Sequence, residues 1–178
     1  MRKWIAIIAL VLILAGVNGS IYNKETHLAT GTIAYLKLRP VDPRSLMQGD
    51  YMALRFEMAD KIIKQLVKRA RADGEKWRNR NNIAATDGSI VVSLDKQKIA
   101  SFKHLYKDGM TLASNEIKMQ YRVRSGRVKF ATNAFFFEEG TASVYEKAKY
   151  GQFRVNQKGE LLLANMYTEK LELLGDNK

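Results

Sequence analysis

The side chains best equipped for chemistry in this 178-residue sequence are few and scattered. It has no cysteine, which excludes disulfides, thiol nucleophiles and thiolate metal sites. Its two histidines, His27 and His104, lack the close pairing of a zinc-binding HExxH helix, and each reads as an ordinary core or surface residue. The adjacent Glu138 and Glu139 point two ways in any regular element; they read as a helix-start feature that favours the dipole, with Gly140 in the turn. There is no GxSxG elbow, phosphate loop or dinucleotide fingerprint. No metal or cofactor is expected.

Two denser constellations remain. The first is PVDPRSLMQGDYMALRF, residues 40–56. Gly49 permits backbone conformations closed to other residues. Asp50 can accept amide hydrogen bonds and fix a turn. Tyr51, Leu54 and Phe56 can then pack as a strand begins. Asp42 and Arg44 can pair with each other or with Asp50. On one reading, Pro43 and these residues build a rigid loop-to-strand corner. On the other, Asp42, Arg44 and Asp50 contact a partner.

The second constellation is basic. Lys61, Lys64, Lys68, Arg69, Arg71, Lys76, Arg78 and Arg80 fall within residues 61–80, with Trp77 among the last three. The formal net charge of the chain is +12, which favours anionic partners. Near an anionic bilayer such cations gain roughly 1 kcal/mol each. Lys61, Lys64, Lys68, Arg71, Lys76, Trp77, Arg78 and Arg80 are therefore candidate lipid or anion contacts. The bland alternative is a solvated helix face.

Location decides among anionic partners, and the N-terminus sets it. After Arg2 and Lys3, residues 4–22 carry no charge, beginning WIAIIALVLILAGV. A helix over them spans roughly 28 Å at about 1.5 Å per residue. That matches a hydrocarbon core of about 30 Å. Trp4 and Tyr22 fall at opposite interfaces, where amphipathic rings are preferred. A cleaved signal peptide is the competing reading. Its small residues are poorly placed, because Val17-Asn18-Gly19 and Asn18-Gly19-Ser20 are weak sites. Residues 1–23 are thus expected to be a retained anchor. Residues 24–178 are expected to form one domain, exported because Arg2 and Lys3 stay in the cytoplasm. Nucleic acid is then not an expected partner.

Within that domain, residues 30–39 and 50–58 have the alternation and β-branched or aromatic content of strands. Residues 59–72 change period: Ile62, Ile63, Leu66, Val67 and Ala70 share one helical face, and Asp73-Gly74 supplies a stop. Hairpins follow over 89–105, 116–132 and 152–164, with Ser125-Gly126 and Lys158-Gly159 at turns. A short helix over 138–150 interrupts them, and residues 166–174 extend the sheet. The expected class is α+β: an N-terminal transmembrane helix, then a mostly antiparallel β domain with about two helices.

Gly49, Asp50, Tyr51 and Leu54, led in by Val41-Asp42-Pro43-Arg44, resemble the bacterial family named for its GDYXXLXY motif. Phe56 stands where that family usually has tyrosine. The resemblance extends to the anchor, to Lys24-Glu25 with Leu28 and Gly31, and to Phe137-Glu138-Glu139-Gly140. It implies a membrane-anchored protein that accompanies, or is fused to, multi-spanning membrane proteins. It implies no catalytic residue. Pro43, Leu46 and Gly49-Asp50 also look like the tail of the signal-peptidase serine motif. There, however, Pro40 occupies the nucleophile's place and Ser45 lies on the wrong side of Pro43. The expectation is a non-enzymatic accessory subunit in a bacterial inner membrane, its C-terminal domain periplasmic. The alternatives are an envelope module binding an anionic ligand or lipid through the basic helix, and a hydrolase.

Overall fold

The computed structural model describes residues 2–39, 51–72, 74, 83–132 and 134–175. Helix α1, Arg2–Thr30, is long and apolar enough to cross a membrane. None of its apolar stretch is buried by the rest of the chain. The helix does not stop at Tyr22. It runs on through Lys24 and Glu25, and its last turn docks on the domain. His27, buried within that turn, places Nε2 3.0 Å from the Arg154 carbonyl oxygen. A carbonyl only accepts, so Nε2 carries the proton. Gly31 closes the joint: its N–H donates to the His27 carbonyl at 2.9 Å, and its own carbonyl accepts from Arg154. A Cβ at residue 31 would lie 2.6 Å from the His27 oxygen, so only glycine fits.

Strand β1, Thr32–Lys37, follows at once. Ala34, Leu36 and Leu38 are buried, so Leu36 rather than Tyr35 takes the inward position. β1 pairs antiparallel with β8, Tyr150–Val155, which pairs with β9, Leu161–Tyr167, and that with the short β10, Leu173–Leu174. A second sheet has the order β4-β3-β5-β6, from β3 Thr86–Leu94, β4 Ala100–Leu105, β5 Glu116–Arg124 and β6 Arg127–Lys129. The two sheets meet at β1 and β4, where the Tyr35 N–H donates to the Lys98 carbonyl at 2.9 Å. They meet again where the Gln120 N–H of β5 donates to the Gly159 carbonyl at 2.7 Å. Phe130, Phe153, Leu36, Ile62, Ile90 and Met119 are fully buried between these layers.

Helix α2, Ala59–Ala72, covers β4 and β6 with Ile62, Ile63, Leu66 and Ala70 and keeps the boundaries that the period implies. Gly74 follows it with φ of 79°, a conformation that favours glycine. Ser125 and Gly126 have φ of 50° and 67°, the two positive values of a type I′ hairpin turn. Two expectations shift. The helix expected over residues 138–150 shrinks to α3, Ala142–Tyr145, because β8 claims the chain from Tyr150. The strand expected over 50–58 is cut to β2, Tyr51–Ala53, which pairs with β7, Ala134–Phe136. The α+β class with mostly antiparallel sheets holds.

A bulge between Val91 and Val92 leaves Lys103 as the extra residue of β4. Its ammonium reaches Glu116, across β3, at 2.7 Å. Together with the Ala113 N–H, this holds the Glu116 carboxyl below its ordinary pKa of 4.5. Protonation loses the pair in the folded chain, with no matching loss in the unfolded one. Its stabilisation is present above that ordinary value and lost as pH falls below it. The melting temperature is therefore expected to fall from pH 5 to pH 3, and less steeply in Glu116→Gln; equal slopes in thermal melts would refute the pairing.

Candidate functional site

The basic motif residues become a site through one pairing. Beyond β1, Leu38 bridges Phe56 antiparallel. The Glu57 N–H donates to the Lys37 carbonyl at 3.0 Å, and the Arg39 N–H to the Arg55 carbonyl at 2.8 Å. This clasp joins residues 37–39 to residues 55–57. It also sets Arg39 directly opposite Arg55, so both side chains leave on one face. Lys37 and Glu57, the next pair along, form an exposed ion pair at 3.1 Å that holds the Lys37 ammonium above its ordinary pKa.

Arg39 pairs with Asp60, in the first turn of α2, where a carboxylate also suits the helix dipole. From the other side, Arg127 and Lys129 of β6 complete the wall, with the buried Val128 between them pointing inward. The result is a groove of about 600 Å³. Arg39, Arg55, Arg127 and Lys129 line it, against one described carboxylate, Asp60. Its rim is aromatic. Tyr51 and Phe136 sit opposite each other on β2 and β7, rings 5.9 Å apart. They are 40% and 74% exposed, so this pair faces outward. Cationic side chains beside exposed aromatic rings can bind an acidic, partly apolar partner. Among the described residues no group of three metal-ligating side chains lies close together.

A protein-family model described as GDYXXLXY protein matches residues 13–166. The chain belongs to the GDYXXLXY family. No curated protein and no solved structure matches it. The matched span begins inside α1, so the family unit includes the part of the helix that docks on the domain.

The GDYXXLXY motif itself divides between inside and outside. Phe56 is 3% exposed and packs edge-on against Phe130 and Phe153, at centroid distances of 5.2 and 5.7 Å. Leu54 packs against the same core. Tyr51 faces out. Asp42, Pro43, Arg44, Gly49 and Asp50 lie outside the described residues, as do Lys76, Trp77, Arg78 and Arg80. Lys61, Lys64, Lys68 and Arg71 are all exposed on the outer face of α2, away from the groove's lining. Sequence reasoning missed Arg39, Arg55, Asp60, Arg127, Lys129 and Phe136. For Phe136 a signal existed: three consecutive aromatics in a strand put the middle one on the opposite face, and Phe135 and Phe137 indeed turn inward onto Tyr145. For the charges no local signal existed, because tertiary pairing alone makes them neighbours.

This division gives a contrast. Phe56→Ala is expected to cost about 3–5 kcal/mol of unfolding free energy. Tyr51→Ala is expected to stay within about 1 kcal/mol of wild type. Urea unfolding of the full chain in mild detergent measures both, and comparable losses would contradict the division.

Proposed function

We propose that this chain is a non-enzymatic, membrane-anchored accessory subunit whose exported domain docks on a multi-spanning membrane protein. The observation that carries the reading is α1, an unburied apolar helix continuous with the domain and fixed to it at His27 and Gly31. Such a helix and a rigidly attached domain suit docking on a partner that offers both an intramembrane and an extramembrane surface. Arg2 and Lys3 favour a cytoplasmic N-terminus, placing the domain on the far side of a bacterial inner membrane. The contact surface is the motif face: the Tyr51–Phe136 pair with the cationic groove beneath it, and the motif residues Asp42, Arg44 and Asp50.

The experiment is crosslinking in the native membrane. With a photoreactive residue at position 136, irradiation followed by mild-detergent purification should yield one adduct containing a polytopic protein. Phe136→Glu and Tyr51→Glu should reduce recovery of that partner at least tenfold. Recovery of the chain alone, with α1 intact, would overturn the reading.

A second reading, an envelope module for an anionic ligand, draws support from the exposure of Lys61, Lys64, Lys68 and Arg71 in one stripe of α2. Glutamate at positions 61, 64 and 68 separates the two. That change should abolish binding of an anionic ligand if the stripe is its site, and leave partner recovery largely intact.

A further inference from the structure

A basic cleft lies where α1 meets the second sheet, on the opposite side of Lys129 from the motif groove. It has a volume of about 370 Å³ and is lined by Lys24 and His27 of α1, Arg122 of β5 and Lys129 of β6, with Glu160 beyond β8. Arg122 and Lys129 are cross-strand partners, so both emerge on one face of the hairpin. One Arg122 nitrogen donates to the Ala131 carbonyl at 2.9 Å, which steadies a guanidinium that has four further N–H donors. Glu160, the one carboxylate lining the cleft among the described residues, accepts from the Asn156 amide at 2.7 Å. Three cations thus converge against a single acid.

We infer that this cleft binds the phosphate of an anionic phospholipid, and that this contact seats the domain on the bilayer. The inference rests on the membrane-anchored reading above. The argument is one of height. The uncharged stretch of α1 ends at Tyr22, and the helix continues without a break. At about 1.5 Å per residue, Lys24 lies about 3 Å and His27 about 7.5 Å beyond Tyr22 along the axis. Headgroups occupy roughly 5–7 Å on each side of the hydrocarbon core. The cleft therefore opens at the level of lipid phosphates. The neighbouring cleft, on the other side of His27, sits at the same height but sets only two lysines, Lys118 and Lys158, beside the Glu116 carboxylate. Lys118 lies 4.5 Å from the centre of the Tyr106 ring, and Glu116 holds Lys103. The cations of α2 belong to a different face. The lipid contact is thus assigned to Lys24, Arg122 and Lys129 rather than to the basic helix.

The test uses the full chain in nanodiscs of phosphatidylcholine with a minority of phosphatidylglycerol, released into native mass spectrometry. The wild type should retain phosphatidylglycerol over phosphatidylcholine. Lys24→Gln, Arg122→Gln and Lys129→Gln should each weaken that preference about fivefold, the effect of one cation at an anionic surface. Glutamine at 61, 64 and 68 should leave it unchanged. No preference in the wild type, equal preference in the cleft variants, or loss only in the α2 variant would overturn the inference. So would displacement of the lipid by millimolar inorganic phosphate, which marks a site for a free anion. Alkaline carbonate extraction of native membranes separates the two failures. A chain that stays in the pellet without lipid preference sinks this inference alone, and a chain that is extracted sinks the anchored reading as well.

Discussion

Strand β1 leaves α1 with two hydrogen-bonding edges to satisfy, and the rest of the molecule is arranged by how they are satisfied. Unpaired backbone groups in a buried strand are costly, so each edge must find a partner. One edge takes β8, and through it the remainder of the first sheet. The other takes three partners in succession: Lys98 opposite Tyr35, Glu57 opposite Lys37 and Arg55 opposite Arg39. The second sheet is thereby joined to the first, and residues 55–57 are held against the end of β1. Because β1 follows α1 directly, the membrane-length helix, both sheets and the motif face converge on about eight residues.

How much of this was legible depended on whether the signal was local. Helix α2 was fully readable, because its apolar face repeats within fourteen residues and a glycine closes it. The Ser125-Gly126 hairpin was readable because the turn chemistry lies in the two residues themselves. Residues 54–58 looked like more strand, yet Phe56 is drawn into the core beside Phe130 and Phe153, and the chain turns into α2. The aromatic run at 135–137 gave way to a turn closed by Thr141, which donates to the Glu138 carbonyl through both N–H and hydroxyl, before a single helical turn. Tyr145 is fixed there against Phe135 and Phe137. The groove was the least legible feature. Arg39 and Arg55 are sixteen positions apart in sequence, and nothing in either neighbourhood says that they share a face.

Electrostatics here orient more than they stabilise. The ion pairs Lys37–Glu57 and Arg124–Asp87 are exposed and Arg39–Asp60 is half-buried, and pairs this open to water contribute little to folding. What they do is place charge. Asp60 holds Arg39 over the groove, and the backbone register lines up Arg122 with Lys129. Strongly basic composition thus becomes two defined surfaces that share Lys129, one under the aromatic rim and one beside α1.

The unbroken passage of α1 into the domain gives rotation about the helix axis a fixed meaning. At about 100° per residue, Gly16, Ser20, Asn23 and His27 fall within roughly 60° of one another. His27 is the residue seated on β8, so the same side of the helix looks toward the β8–β9 flank above and presents Gly16 and Ser20 within the apolar stretch below. A helix packed closely against those two small residues stands underneath the domain, whereas one on the opposite side stands clear of it. The compass bearing of any helix that packs against the apolar stretch is set by the rotation that the His27–Gly31 joint locks in.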